Sequence, residues 1–222
     1  MNPGAQLIAS SFPEFETARK VLSEVTPADW VPTIPDGPYK SDGWRVVSIV
    51  KGGKRTEFAD RHPEIGRVLD YFKDPIEMAV FYSMLPGTVL HPHRDLSGTL
   101  ELGKIRYHVP LETNPEVKFF VNRERVPMNV GQMWALNTSY LHAVENESPA
   151  ERIHLVVEVE VGKWSWSLLP RKNLRYYRHY AWFLTLVGWR ALTKVATDRN
   201  ALKTYSYMSR TFMRRLLGRR AA

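Results

Sequence analysis

The sequence predicts a mainly β protein, a double-sheet jelly roll or related barrel, with N-terminal helices and a basic helical C-terminal extension. Three observations carry this. From residue 76 to 161 the chain reads as about seven short β-rich runs, separated by turns at regular spacing. Upstream, apolar residues recur at helical spacing. Beyond Gly162 the β pattern stops and the chain becomes rich in Arg, Tyr, Trp and Leu. This implies three segments: a helical and strand cap over 1–75 packed on the core, a jelly-roll core over 76–162, and a basic aromatic-rich helical extension over 163–222. At 222 residues, 44% of them hydrophobic, the chain is long enough to bury one sizeable core.

In chain order, residues 12–26 predict an amphipathic helix, with Phe15, Ala18, Leu22 and Val25 on one side and Pro13-Glu14 in the first turn. The Pro- and Gly-rich run 31–43 predicts a connecting loop. Trp44 to Val50 predicts a strand and 63–73 a helix, with Ile65, Leu69 and Phe72 aligned. The core strands are then Glu77 to Leu85, Val89 to Asp95, Lys104 to Leu111, Val117 to Val121, Val126 to Val130, Gln132 to Asn137, His142 to Asn146 and Ile153 to Val161. Turns are expected at Pro86-Gly87 and Ser97-Gly98. Helices are expected over 171–192 and 198–217, with Trp182, Phe183, Leu186, Val187 and Trp189 forming an apolar group in a basic setting.

The chemistry centres on Pro92-His93-Arg94-Asp95. On a strand, His93 and Asp95 at i and i+2 share a face. His142, arriving from a distant strand, would complete two imidazoles and one carboxylate around one point. That is the facial donor set of non-haem Fe(II) oxygenases, which leaves coordination positions open for a co-substrate and O2. The alternation in Lys104 to Leu111 sends Arg106 and His108 to one face, opposite Ile105, Tyr107 and Val109. Taken alone, such a face is either solvated or lines a polar cavity. Arg152 opens the strand after the turn Glu147-Ser148-Pro149-Ala150, which brings its guanidinium near His142. A planar guanidinium suits bidentate capture of a carboxylate, as a 2-oxo acid would offer. His91 reads as strand or cavity wall rather than ligand, Trp134 as core, and Asn114 and Asn146 as turn residues.

The runs PHRD, KIRYHVPLETN, G-x-x-W, H-x-V-x-N and RIHLVVEV, spread over about residues 76–162, together resemble the aspartyl/asparaginyl β-hydroxylase family, which includes bacterial proline cis-4-hydroxylases. The resemblance implies a double-stranded β-helix that uses Fe(II), O2 and 2-oxoglutarate to hydroxylate a C–H bond. It implies His93, Asp95 and His142 as iron ligands and Arg152 as the clamp for the far carboxylate of 2-oxoglutarate. Arg106 and His108 match a second cofactor-contacting pair, and Tyr82 a cofactor-contacting hydroxyl. The β-hydroxylases proper carry Gly where this chain keeps Asp95. The basic tail departs from the pattern, so the substrate does not carry over: a small amino-acid-like molecule, a peptide or a lipid-linked group are all open.

The chain has no Cys, which excludes disulfides and thiolate metal sites. Of the net charge of +8, residues 163–222 supply +13, with fourteen Lys or Arg against Asp198, so the remainder is mildly acidic. Such a tail suits an anionic membrane or an acidic carrier protein. No nucleic-acid motif accompanies the charge. Residues 1–6 lack the basic and apolar pattern of a signal peptide, and no run is long enough to span a bilayer. The expectation is therefore a cytoplasmic protein, with peripheral contact at the inner face of the membrane as a further option. The alternative is a non-enzymatic β-barrel module that binds an anionic membrane or acidic partner through the tail.

Overall fold

A computed structural model describes residues 2–33, 43–95 and 98–195. The expected helix 198–217 and most of the loop 31–43 lie outside those residues, as does Ser97. The elements run β1 (Ala5–Ala9), α1 (Phe15–Ser23), β2 (Val31–Pro32), β3 (Trp44–Lys51), β4 (Lys54–Arg55), α2 (Glu57–Arg61), α3 (Ile65–Asp70), β5 (Ile76–Met84) and β6 (Val89–His93). They continue as β7 (Lys104–Glu112), β8 (Val117–Val121), β9 (Glu124–Arg125), β10 (Met133–Leu136), β11 (His142–Asn146), β12 (Arg152–Glu160), α4 (Lys163–Leu168) and α5 (Leu174–Val195).

The strands form two antiparallel sheets, as a jelly roll requires. An eight-stranded sheet has the order β1-β10-β7-β12-β5-β3-β2, with β4 on β3, and a four-stranded sheet has the order β6-β11-β8-β9. Strands from the first 55 residues are thus built into the main sheet.

The period-2 alternation sorts the side chains of that sheet. Ile105, Tyr107 and Val109 of β7, Leu155, Val157 and Val159 of β12, and Ala79 and Phe81 of β5 point outward. They bury against Phe12, Ala18, Val21, Leu22, Phe58, Ile65, Val68 and Phe72 of the helical layer. β12 is buried along almost its whole length because it is covered on both faces. The inner face meets the small sheet through a second apolar cluster that includes Met84, Phe119, Val121, Leu136 and Val144. The space between the sheets holds the site.

Two expectations need correction. Val126 to Val130 is not a strand. A tight turn at Asn122 and Arg123, both at positive φ, sends β8 back into the two-residue β9. Pro127, with no N–H to donate, then keeps the pairing from extending. β1 was not foreseen either, because AQLIA shows no clean alternation. It pairs with β10, closing one edge of the large sheet.

Candidate active site

β6 and β11 are neighbours in the small sheet, and their register sets His142 opposite His93. β6 is that sheet's edge strand, which is why Pro92 is tolerated inside it. The two rings lie 4.2 Å apart, centroid to centroid. Just past the end of β6, Asp95 is fixed by its backbone N–H, which donates to the Thr138 carbonyl at 3.0 Å. Its carboxylate oxygens lie 3.8 Å from His93 Nε2 and 4.0 Å from His142 Nε2. Among the described residues, these are the only three His, Cys, Asp or Glu side chains grouped closely enough to share a metal ion.

Both rings are oriented through their other nitrogen. His93 Nδ1 donates to the His91 carbonyl at 2.8 Å, and His142 Nδ1 to the Tyr140 carbonyl at 3.0 Å. A carbonyl can only accept, so each Nδ1 carries the proton and each Nε2 is left as a lone-pair donor toward Asp95. Burial, and then His93, pull the pKa of His142 down to about 4, so it is neutral and ready to ligate at ordinary pH. Burial works against the charge on Asp95, but Arg106, His142 and His93 outweigh it and hold the carboxyl below its usual range. His91 is exposed and outside the group.

The pocket wall behind these residues is the inner face of β7, β12 and β5. A cavity of about 410 Å³ is lined by His93, Asp95, His142, Arg106, His108 and Arg152, and extends past Tyr82 and Trp44 over β5 and β3. Arg106 and His108 therefore face the cavity rather than solvent. Arg106 is committed to two carboxylates: it donates to Asp95 by a short hydrogen bond and to Glu158, its cross-strand neighbour, at 2.9 Å. A methyl group at Gly98 would lie 2.2 Å from a Glu158 carboxylate oxygen, so any side chain there would have to push this ion pair aside.

Arg152 is in the opposite situation. It is 1% exposed, and among the described residues no carboxylate is paired with it. One Nη donates to His154 Nδ1 at 2.8 Å, the guanidinium carbon lies 5.7 Å from the centroid of the Phe119 ring, and Nε has no partner. Burial pulls its pKa down to about 9, which still leaves it charged at neutral pH. A buried cation without a counter-ion costs several kcal/mol, roughly.

Sequence reasoning missed several parts of this site. Glu158 stands on the same β12 face as Arg152 and His154, and the alternation could have found it. Thr138 and Tyr140 act through backbone carbonyls and leave no sequence signal. Contacts from α5 were also missed. Arg94, between two members of the His-Asp-His group, stacks on Trp182 at 4.7 Å and donates to the Ser139 carbonyl at 2.7 Å. His179 stacks on Tyr140 at 3.7 Å and hydrogen-bonds the Ser139 hydroxyl at 2.8 Å.

Burial, aided by neighbouring cations, holds His108, His154 and His179 below the ordinary imidazole value of 6.5, with His179 at about 4. As pH falls below 6.5, the unfolded chain takes up protons that the folded one refuses, so stability is lost. The melting temperature of the metal-free protein should be level from about pH 7 to pH 8 and fall from 6.5 toward 4. A flat profile there would contradict the burial of these rings.

A double-sheet jelly roll with two imidazoles and a carboxylate clustered in it defines the class of non-haem metal oxygenases. The family model described as aspartyl/asparaginyl beta-hydroxylase matches residues 14–161, and the chain belongs to that family. It is a hydroxylase by that membership. Among solved structures, an oxidoreductase of the 2OG-Fe(II) oxygenase family from Burkholderia pseudomallei is similar at 14% identity, with 72% of this chain and 86% of that one covered and a TM-score of 0.51. That likeness supports the fold. A Pseudomonas putida prolyl-4-hydroxylase is similar at 15% identity, with 72% and 93% covered and a TM-score of 0.48. HygX from Streptomyces hygroscopicus, solved with nickel and 2-oxoglutarate, is similar at 14% identity, with 72% and 84% covered and a TM-score of 0.48.

Proposed function

We propose that His93, Asp95 and His142 hold Fe(II), that Arg152 grips the far carboxylate of 2-oxoglutarate, and that the protein hydroxylates an unactivated C–H bond. The observation that carries this reading is the buried, unpaired guanidinium of Arg152 in the same cavity as the His-Asp-His group. A five-carbon keto diacid needs a chelated metal at one end and a cationic fork at the other, and these residues offer both. When bound, iron with 2-oxoglutarate and O2 supplies oxidising power: one oxygen atom enters the substrate, and the other enters succinate as CO2 leaves.

The protein's own part is orientation and exclusion of water. The Nδ1–H bonds aim both imidazoles. Arg106 holds the Asp95 carboxylate in place, and Glu158 fixes the Arg106 guanidinium through its Nε. Phe119 of the small sheet and Leu136 of the large one bring apolar surface to the cavity, with Phe119 beside Arg152. His108 and Tyr82 form the wall against which the co-substrate lies. The substrate is an amino-acid-like small molecule, a peptide or a lipid-linked group. No helix among the described residues is long and apolar enough to cross a membrane. The cytoplasmic placement drawn from the sequence stays part of this proposal. Family membership speaks against the non-enzymatic binding module.

The test is turnover without a prime substrate. Adding Fe(II), ascorbate and 2-oxoglutarate should release succinate and CO2, and chelation should stop it. A screen of amino acids, peptides and lipids should then show one that gains a single oxygen atom. Failure to consume 2-oxoglutarate under any of these conditions would reject the co-substrate assignment.

A further inference from the structure

Helix α5 buries one side and leaves the other apolar. On the inner side, Phe183 is fully buried against Leu102 with Val187 beside it, and His179 is held by Ser139 and Tyr140. The outer side should then be polar, as on an ordinary surface helix. Instead Leu174 is 74% exposed, Tyr177 56%, Trp182 41% and Trp189 67%. Exposed large side chains scattered singly need no explanation, but four on one helix, two of them Trp, do. Between and beside them stand Arg171, Lys172, Arg175, Arg178 and Arg190, all exposed, and residues 161–195 contain no Asp or Glu.

We propose that this outer face of α5 is a docking surface for an anionic lipid bilayer. Trp and Tyr rings settle at the level of the headgroups, where one edge of the ring is apolar and the other wet. Arg side chains add attraction to anionic lipids and extend their stems along the apolar surface. The charge selects the occupant: a second copy of this chain would bring the same cations face to face, whereas an anionic leaflet complements them. The inner face is held by the protein body, so the helix binds flat and does not insert across the bilayer. Because Trp182 carries the Arg94 stack, the docked surface lies beside the loops that present His93, Asp95 and His142. The proposal does not depend on the iron-site reading, and either can fail without the other.

The test uses the full chain and extruded vesicles of phosphatidylglycerol or of phosphatidylcholine, read by co-sedimentation. The protein should bind the first at low salt and not the second, and binding should fall steeply as screening shortens from about 10 Å at 0.1 M salt to about 3 Å at 1 M. Replacing Arg175 and Arg178 with Gln should weaken binding about thirtyfold, from two surface cations. Leu174→Ser with Trp189→Ser should weaken it about tenfold or more at unchanged charge. Succinate release and melting temperature should stay at wild-type values in both variants, since none of these side chains is packed in the body. No binding to phosphatidylglycerol at low salt overturns the proposal. Full binding in both variants also overturns it and assigns the vesicle contact to the basic residues beyond 195. A dimer that Trp189→Ser dissolves would assign the face to a second copy instead.

Discussion

Asp95→Ala is expected to lose Fe(II) and, with it, all succinate release. The cause is more than a missing ligand. Asp95 is the carboxylate that Arg106 reaches with one nitrogen while Glu158 holds another. Without it, Arg106 keeps only Glu158 as a counter-ion, and a net negative charge is lost from the point where a metal ion would sit. Iron affinity should therefore fall by at least about a hundredfold, beyond what loss of a supporting hydrogen bond alone produces. Asp95→Asn tests the electrostatic part, because it keeps the shape but not the charge. His142→Ala and His93→Ala should also fail to retain iron, each leaving two donors. His91→Ala is the control and should load normally, since that side chain is exposed. Metal content after anaerobic gel filtration decides the matter. Wild-type loading in two of the three ligand variants would place the iron elsewhere.

Much of this arrangement was readable from the chain, for a physical reason that differs from residue to residue. In Lys104 to Leu111, period-2 alternation separates Arg106 and His108 from Ile105, Tyr107 and Val109, and the structure keeps that division. The alternation could not say whether the Arg106 face is solvated. That depends on the small sheet standing over it, a pairing between residues far apart in sequence. Nor could it name the partner of Arg106. The guanidinium reaches Asp95 across the space between sheets, so its neighbours come from topology. β1 was missed and the strand expected over Val126 to Val130 does not form, because short apolar runs take their state from whichever edge is available, and Pro127 removes one donor. The apolar residues of α5 fall on several sides of the helix. Only docking against Leu102, Ser139 and Tyr140 decides that Phe183 goes in while Trp182 and Trp189 stay out.

Substitutions at Arg152 should separate function from stability. Arg152→Lys keeps a positive charge but replaces the planar fork with a single ammonium, and the hydrogen bond to His154 is weakened or lost. Losing one charge-assisted hydrogen bond to a carboxylate costs roughly 1.5–3 kcal/mol, so the KM for 2-oxoglutarate should rise about 10- to 100-fold. Iron content should not change, because Arg152 is not among the grouped donors. Arg152→Met goes further: it removes the cation, fills similar space beside Phe119, and should abolish 2-oxoglutarate binding. It should also stabilise the metal-free protein, because a desolvated charge with no counter-ion is replaced by an apolar side chain. At this chain length, each kcal/mol regained should raise the melting temperature by about 2–4 °C. A residue kept only for structure would behave in the opposite way. The decisive measurement is the pair of readings on one sample, melting temperature in the absence of ligand and KM for 2-oxoglutarate. A lower melting temperature with an unchanged KM would make Arg152 a packing residue, and the carboxylate would have to be held by another cation in the cavity.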